Sequence, residues 1–268
     1  MEKRNTIICL IFLGIILASA VATIIFSGIT AQDYNYVQLE VNPRVEFLLD
    51  KKFKVVSVAP LNDDARIVLS DMNLVGMDIE DATTDYLMEC ARTGFIDVNG
   101  VNNATNITVL DGLTQALDVH VTQKVYDFFK DNEIMSAVTE SYEDRTLFDK
   151  KKKEKVSCSN KLKLIYTLAE TQNLEFNTLK KMSEVSLIDI VAETHKENPF
   201  TPTETELSKK QSLLKTNQEK FNTHQNAITN NTQREFAYLF DKFQKTSTKK
   251  YFEDFSKEYT NWQKQHTN

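Results

Sequence analysis

The dipeptide Asn42-Pro43 brings together two residue types that could carry out chemistry inside the chain. An asparagine side chain is ordinarily attacked by the next backbone nitrogen, but the nitrogen of proline carries no hydrogen, so that reaction is closed. The reverse attack remains, in which the Asn42 side-chain nitrogen adds to its own main-chain carbonyl. This would expel Pro43 as a new N-terminus and leave a C-terminal succinimide. The pair is therefore a candidate self-cleavage bond.

A purely structural role is the alternative, because Asn-Pro is a common turn dipeptide and proline ends a hydrogen-bonded ladder. The cleavage would be slow in a relaxed chain. A fold could accelerate it by straining the turn, aligning the side chain and stabilising the developing oxyanion. Strands paired on both sides of the dipeptide would provide such a constraint and would hold the two pieces together after scission.

The flanking sequence predicts those strands. Residues 37–41 alternate with a period of two, which is typical of a half-buried strand with Tyr36 and Gln38 on its polar face. Residues 44–49 repeat the alternation, and a turn at 50–52 leads into a third strand, so the three form a meander.

Residues 78–140 continue with two helices and two short strands. The first helix, 78–92, carries Cys90 on its buried stripe and ends at Gly94. A strand at 107–110, a helix at 113–131 and a strand at 133–140 follow. The order βββαβαβ predicts an α+β module, with the helices packed on one face of a single sheet.

The N-terminus predicts the compartment. An uncharged apolar run from Thr6 to about Phe26 is long enough to cross a bilayer as a helix. Lys3 and Arg4 precede it, so we expect a single-pass protein at the cell membrane, with a cytoplasmic N-terminus and an extracellular bulk. A cleaved signal peptide is the alternative.

The C-terminal region is predicted to be helical. A capping box, Thr203-Glu204-Thr205-Glu206, starts its last part, in which Phe236 and Phe240 recur at helical spacing. These aromatics could contact a cell-wall glycan, but their spacing fits core packing better. The predicted organisation comprises a cytoplasmic N-terminus and anchor (1–31), an α+β domain (35–142), a charged linker (143–158), a small helical unit (159–198) and a polar helical tail (203–268).

Composition excludes several functions. A net charge of −6 and a pI near 5.4, without a dominant basic face, argue against nucleic-acid binding. The 6 glycines form no phosphate-binding loop, and 3 scattered cysteines with 4 unclustered histidines suggest no metal site. Each histidine is predicted to be a surface or helix residue. No cofactor and no multiple-turnover enzyme activity are expected.

The order of short motifs over roughly residues 35–195 resembles the extracytoplasmic middle domain of the anti-sigma-I factor RsgI family. In that family a strand ends in Asn-Pro-x-x-Glu, matched here by Asn42-Pro43-Arg44-Val45-Glu46. The hairpin that follows is matched by residues 55–58 and by Leu61-Asn62-Asp63-Asp64. Residues 78–96 and 160–191 are similar to the family's next helix and its short helical unit.

The resemblance implies a membrane-anchored module that takes part in signalling to an alternative sigma factor. It also implies that the domain cuts its own Asn-Pro bond and that the halves stay associated. Asn42 and Pro43 carry over as the scissile pair, and Glu46 carries over as a motif residue without an assigned role.

The chain differs from the family's full pattern before the apolar run. Only five residues, MEKRN, precede the apolar run, where full members carry a sigma-binding cytoplasmic domain. We therefore expect a separate membrane or cytoplasmic regulatory protein to supply that function. A non-cleaving structural or adhesive surface protein is the alternative hypothesis.

Overall fold

The computed structural model describes residues 34–110, 117–139, 159–228 and 235–243. These described residues belong to one compact unit. In chain order, its strands and helices are β1 (Asn35–Glu40), β2 (Arg44–Leu49), β3 (Val55–Pro60), α1 (Asp63–Leu69), α2 (Ile79–Thr93), β4 (Asn103–Leu110), α3 (Leu117–Asp131), β5 (Ser136–Thr139), α4 (Ser159–Gln172), α5 (Phe176–Leu179), α6 (Glu184–Glu197), α7 (Glu204–Ala227) and α8 (235–243).

The five strands form one mixed sheet in the order β3-β2-β1-β4-β5. The first three strands form the predicted antiparallel meander, and β1 also pairs antiparallel with β4. β4 and β5 are parallel, with α3 between them in the chain. This arrangement makes β1 the central strand, although it is the first strand in the sequence.

The helices within the βββαβαβ module pack on one face of the sheet, as predicted, but further helices cover the other face. Val37 and Phe47 belong to a core that includes residues of α1, α2 and α3. Tyr36 and Leu48, which point to the opposite face, pack in a second core with α4, α5 and α6. β1 is consequently buried on both faces rather than half-buried. Its polar-looking positions are covered by helices that come from more than 100 residues further along the sequence.

Local signals placed several helix ends correctly. Gly94 ends α2 in the left-handed conformation, with φ of 84°. Thr203 and Glu206 form the predicted capping box of α7, with both reciprocal hydrogen bonds present. Cys90 is a free, fully buried thiol, and burial raises its pKa far above the ordinary range. It therefore behaves as a small apolar core residue, as its position on the stripe predicts.

Helix α7 packs against α1 and α2 and is held there by a buried lysine. The Lys210 ammonium, 1% exposed, donates to the Val68 carbonyl at 2.6 Å and lies 3.0 Å from a Glu89 carboxylate oxygen. It also forms an ion pair with Asp71.

Further along the chain, Phe240 of α8 is fully buried in the main core, as the core interpretation of the aromatic spacing predicts.

The apolar run Thr6–Phe26 lies outside the described residues, as does the whole of the predicted linker at 143–158. Among the helices that the structure describes, none combines the length and the apolar character needed to cross a bilayer.

Candidate functional site

Asn42 and Pro43 lie in a tight hairpin that joins β1 to β2. Glu40 pairs with Arg44 across the hairpin, and the Val41 N–H donates to the Pro43 carbonyl at 2.9 Å. Asn42 has a left-handed φ of 48°, which costs energy for most residues but is tolerated by asparagine. The proline ring fixes φ on the other side of the peptide bond. The dipeptide is therefore constrained on both sides, as the strand pattern predicts.

The side chain of Asn62 connects this hairpin to helix α1. Its Oδ1 accepts hydrogen bonds from the Arg44 N–H at 3.1 Å and from the Ala65 N–H at 3.0 Å, which makes Asn62 the N-cap of α1. Its Nδ2 donates to Asn42 Oδ1 at 3.3 Å. The Arg44 carbonyl accepts from the Leu61 N–H at 2.9 Å. The N–H and the carbonyl of Arg44 are thus both bonded to the segment Leu61-Asn62, which with the hairpin forms the hairpin corner.

A second Asn-Pro dipeptide, Asn198-Pro199, provides a comparison within the same chain. Asn198 is the C-cap of α6, with φ of −127°, and both Asn198 and Pro199 are exposed. Pro43, by contrast, is buried, and Asn42 alone of the two asparagines has a positive φ. The two dipeptides are chemically identical, and they differ in the constraint that the fold places on them.

The constrained hairpin can favour attack of the asparagine side chain on its own backbone. The Asn42 Nδ2 would close a five-membered ring with its own carbonyl carbon, and the gain from fixing such geometry in advance can be large. The ladder supplies that fixation, because β1 and β2 are paired along their whole lengths.

Glu46, the third motif residue, is directed towards the helical layer. It is 6% exposed, and its Oε1 lies 2.5 Å from His195 Nε2 on α6. Its Oε2 accepts from the Tyr36 hydroxyl at 3.0 Å. Burial, and then the Glu46 charge, raise the pKa of Tyr36 well above its usual value, so this hydroxyl stays protonated and remains a donor. Glu46 therefore joins β1 and β2 to α6.

The other ring nitrogen of His195, Nδ1, lies 2.8 Å from the Ser57 hydroxyl on β3. The atoms thus follow the serine–histidine–carboxylate order of a nucleophilic relay. A hydrolase also needs oxyanion donors and a substrate cleft. Two surface cavities of about 260 and 410 Å³ are lined largely by α7 residues, and neither includes Ser57. The chain of contacts links the sheet to α6.

Sequence reasoning missed this link. It predicted a surface or helix residue at His195, which does lie in helix α6, but the side chain is buried. One signal was available, because His195 continues the buried stripe of Leu187 and Val191 at intervals of four residues. A histidine on an apolar stripe needs a buried partner. The sequence does not say that the partner is Glu46, which lies 149 positions away. Among the described residues, no group of three or more metal-binding side chains occurs.

The fold and the site together define a class of protein: a small α+β domain whose sheet is covered by helices on both faces and whose Asn-Pro hairpin is constrained by paired strands, here called the clamped hairpin. Residues 34–167, half of the chain, match the family described as anti-sigma factor RsgI-like central domain. The chain belongs to this family.

Curated relatives carry the same name. The chain is 29% identical over 160 residues to the anti-sigma-I factor RsgI4 of Acetivibrio thermocellus, covering 56% of this chain and 30% of that protein. It is 32% identical over 78 residues to RsgI3 of the same organism, covering 29% of this chain and 12% of that protein. It is 28% identical over 64 residues to the anti-sigma-I factor RsgI of Bacillus subtilis, covering 24% of this chain and 17% of that protein. The chain thus spans less than a third of the length of these relatives.

Proposed function

We propose that this protein is an extracytoplasmic regulatory module that cleaves itself at Asn42-Pro43 and contributes to sigma-factor signalling through a partner protein. The observation that carries the proposal is the clamped hairpin: within a family of anti-sigma factor domains, the dipeptide sits in a left-handed turn between paired strands. The apolar segment Thr6–Phe26 would anchor the module in the membrane.

The proposed reaction is an isomerisation. A bond forms between Asn42 Nδ2 and the Asn42 carbonyl carbon, and the bond from that carbon to the Pro43 nitrogen breaks. One proton passes from Nδ2 to the departing proline nitrogen. The products are a fragment ending in a succinimide and a fragment that begins with Pro43, and no water is consumed until the succinimide opens.

The sheet explains how the two products would remain together. β1 stays in the N-terminal fragment, while its two neighbours, β2 and β4, belong to the C-terminal fragment. Because β1 is the central strand and is buried on both faces, its release would require the sheet and both cores to open. Cleavage would thus convert a covalent connection to the anchor into a non-covalent one. A pulling force could then separate the two fragments, or a protease could act on the exposed anchor fragment, and either event would be the signal.

The test is a time course of the full chain, produced by cell-free translation with membrane vesicles and analysed on a denaturing gel. The wild-type chain should split into two pieces, with the larger one beginning at Pro43. By mass spectrometry, the smaller fragment should initially be lighter by one water than the product of hydrolysis. The two pieces should co-elute under native conditions and separate in urea.

Two substitutions make the test specific. Asn42→Ala should abolish the split, whereas Asn198→Ala should leave it unchanged, because Asn198-Pro199 lies at an exposed helix end and Asn198 lacks the left-handed φ of Asn42. A wild-type chain that remains intact while folded would contradict self-cleavage and favour the non-cleaving structural hypothesis.

A further inference from the structure

The Asn42 side chain accepts a hydrogen bond from Asn62. Asn62 Oδ1 receives two backbone N–H donors, one from Arg44 and one from Ala65. In a side-chain amide, only the oxygen can accept a hydrogen bond from a backbone N–H. These two donors therefore fix which branch of the Asn62 side chain is the oxygen. The NH₂ branch of Asn62 is then the group directed at Asn42.

The same logic extends one step further, to the reacting residue. Because the Asn62 NH₂ group is a donor, the Asn42 atom that it contacts at 3.3 Å is the acceptor Oδ1. The Asn42 Nδ2 must therefore be the opposite branch of its amide. Two main-chain N–H groups thus determine, through Asn62, which way the Asn42 amide faces.

We propose that Asn62 is a positioning residue for self-cleavage at Asn42-Pro43, an inference that rests on the function proposed above. It would act in two ways. Its hydrogen bond holds the Asn42 side chain in one rotamer, which favours ring closure. Donation to Oδ1 also draws electron density from the Asn42 amide and makes an Nδ2 proton easier to remove, and that proton must leave as Nδ2 bonds to the carbonyl carbon.

Asn62 also has a structural role as the N-cap of α1, so the test must separate the two roles. Asn62→Asp does this. Aspartate is as good an N-cap as asparagine, and its carboxylate can still accept from the Arg44 and Ala65 N–H groups. It cannot donate to Asn42 at neutral pH. We therefore expect Asn62→Asp to fold normally but to cleave roughly 10- to 100-fold more slowly than the wild type at pH 7.

The pH dependence of this variant gives a readout that helix capping would not change. An aspartic acid protonated below about pH 4 regains an O–H donor. The two N–H groups that bond the carboxylate hold its pKa below the ordinary value, so the ratio of the Asn62→Asp rate to the wild-type rate should rise as the pH falls below 4. Asn62→Ala has no donor at any pH, so its ratio should stay low and flat.

A matched control addresses capping by itself. Ser183 caps α6 by accepting from the Ser186 N–H at 3.1 Å, and it is not part of the hairpin corner. Ser183→Ala should lower the urea midpoint, because a helix cap is lost, without slowing cleavage.

The outcomes are distinguishable in the same full-chain time course. A wild-type chain that never splits would refute the proposed function itself. If the wild-type chain and the Asn62→Asp variant split at equal rates, only the role of Asn62 would be overturned. A slow Asn62→Asp variant without recovery at low pH, or a Ser183→Ala variant equally slow, would assign the effect to folding and would also overturn it.

Discussion

His195 and Glu46 are 149 residues apart in the sequence and 2.5 Å apart in the structure, between Nε2 and Oε1. Glu46 lies three positions after Pro43 on β2, and His195 lies near the end of α6. The contact ties the strand that would begin the C-terminal fragment to a helix on the other side of the predicted linker. The stability of the sheet around the hairpin is therefore coupled to the helical layer.

Replacing His195 with alanine should destabilise the domain strongly. The substitution leaves Glu46 buried without one of its partners, and such losses cost about 2–4 kcal/mol. The measurement is urea unfolding of the full chain carrying Asn42→Ala, so that cleavage does not complicate the transition. His224→Ala is the control, because the His224 ring bonds to a backbone carbonyl, that of Asn132, at 2.7 Å, rather than to a buried carboxylate. It should cost less, about 1 kcal/mol, and equal losses for the two variants would contradict a special role for the buried pair.

Removing the Lys210 side chain should loosen α7 from the rest of the domain. Lys210→Ala leaves Glu89, whose side chain is 10% exposed, with only the half-exposed Arg92 as a cation, at 2.8 Å. We therefore expect a loss of about 3 kcal/mol, the lower end for breaking a buried pair. Lys220→Ala removes a surface pair with Asp97, in which both side chains are about half exposed, and should cost under about 1 kcal/mol. The comparison uses urea midpoints and proteolysis of α7. If Lys210→Ala were as mild as Lys220→Ala, α7 would be held by other contacts.

Two glycines allow a matched test of packing at the α2–α7 contact. Gly94 and Gly76 both have left-handed φ values, of 84° and 88°, so alanine at either should cost about 1–2 kcal/mol in the backbone. A Cβ on Gly94 would also lie 2.6 Å from the Asn217 side chain, whereas nothing lies within 4 Å at Gly76. Asn217 donates to the Thr93 carbonyl at 2.9 Å, a bond that Gly94→Ala would displace.

We therefore expect Gly94→Ala to lower thermal stability more than Gly76→Ala, by roughly a further 1 kcal/mol for the lost hydrogen bond. Differential scanning calorimetry of the two variants measures this difference. Equal losses would mean that Asn217 moves aside without cost.

Stability should fall in acid as two carboxylates of the α7 interface are protonated. Hydrogen bonding from Lys220 lowers the pKa of Asp97, and the Thr203 N–H, followed by Arg66, lowers the pKa of Glu206. The unfolded chain then binds more protons than the folded one as the pH drops. The stabilisation is present above the ordinary carboxyl pKa values, near 4, and is lost as the pH falls through the lower folded-state values.

Urea unfolding between pH 7 and pH 2 measures this dependence. Asp97→Asn should be less stable than the wild type at pH 7, and the difference should shrink in acid, where the wild-type carboxyl is also neutral. A difference that stays constant over this range would show that the Asp97 charge is not responsible.

Features that depend on near neighbours could be predicted from the sequence alone. The alternation around Asn42-Pro43 predicted the β1–β2 hairpin, Gly94 predicted the end of α2, and the capping box predicted the start of α7. These signals act over two to four residues, because backbone hydrogen bonding and side-chain periodicity are local properties. The short helix α1 was missed, although Asn62 before two acidic residues is a helix-start signal.

What covers each face of the sheet, and which side chains contact each other, could be seen only in the folded structure. The same alternation in β1 suits a half-buried strand and a central one, and the choice depended on helices α4 to α6 from a distant part of the chain. The contacts of Asn62 with Asn42 and of His195 with Glu46 likewise join positions 20 and 149 residues apart. Such contacts depend on how whole elements pack together, and the periodicity within each element does not encode which other element will cover it.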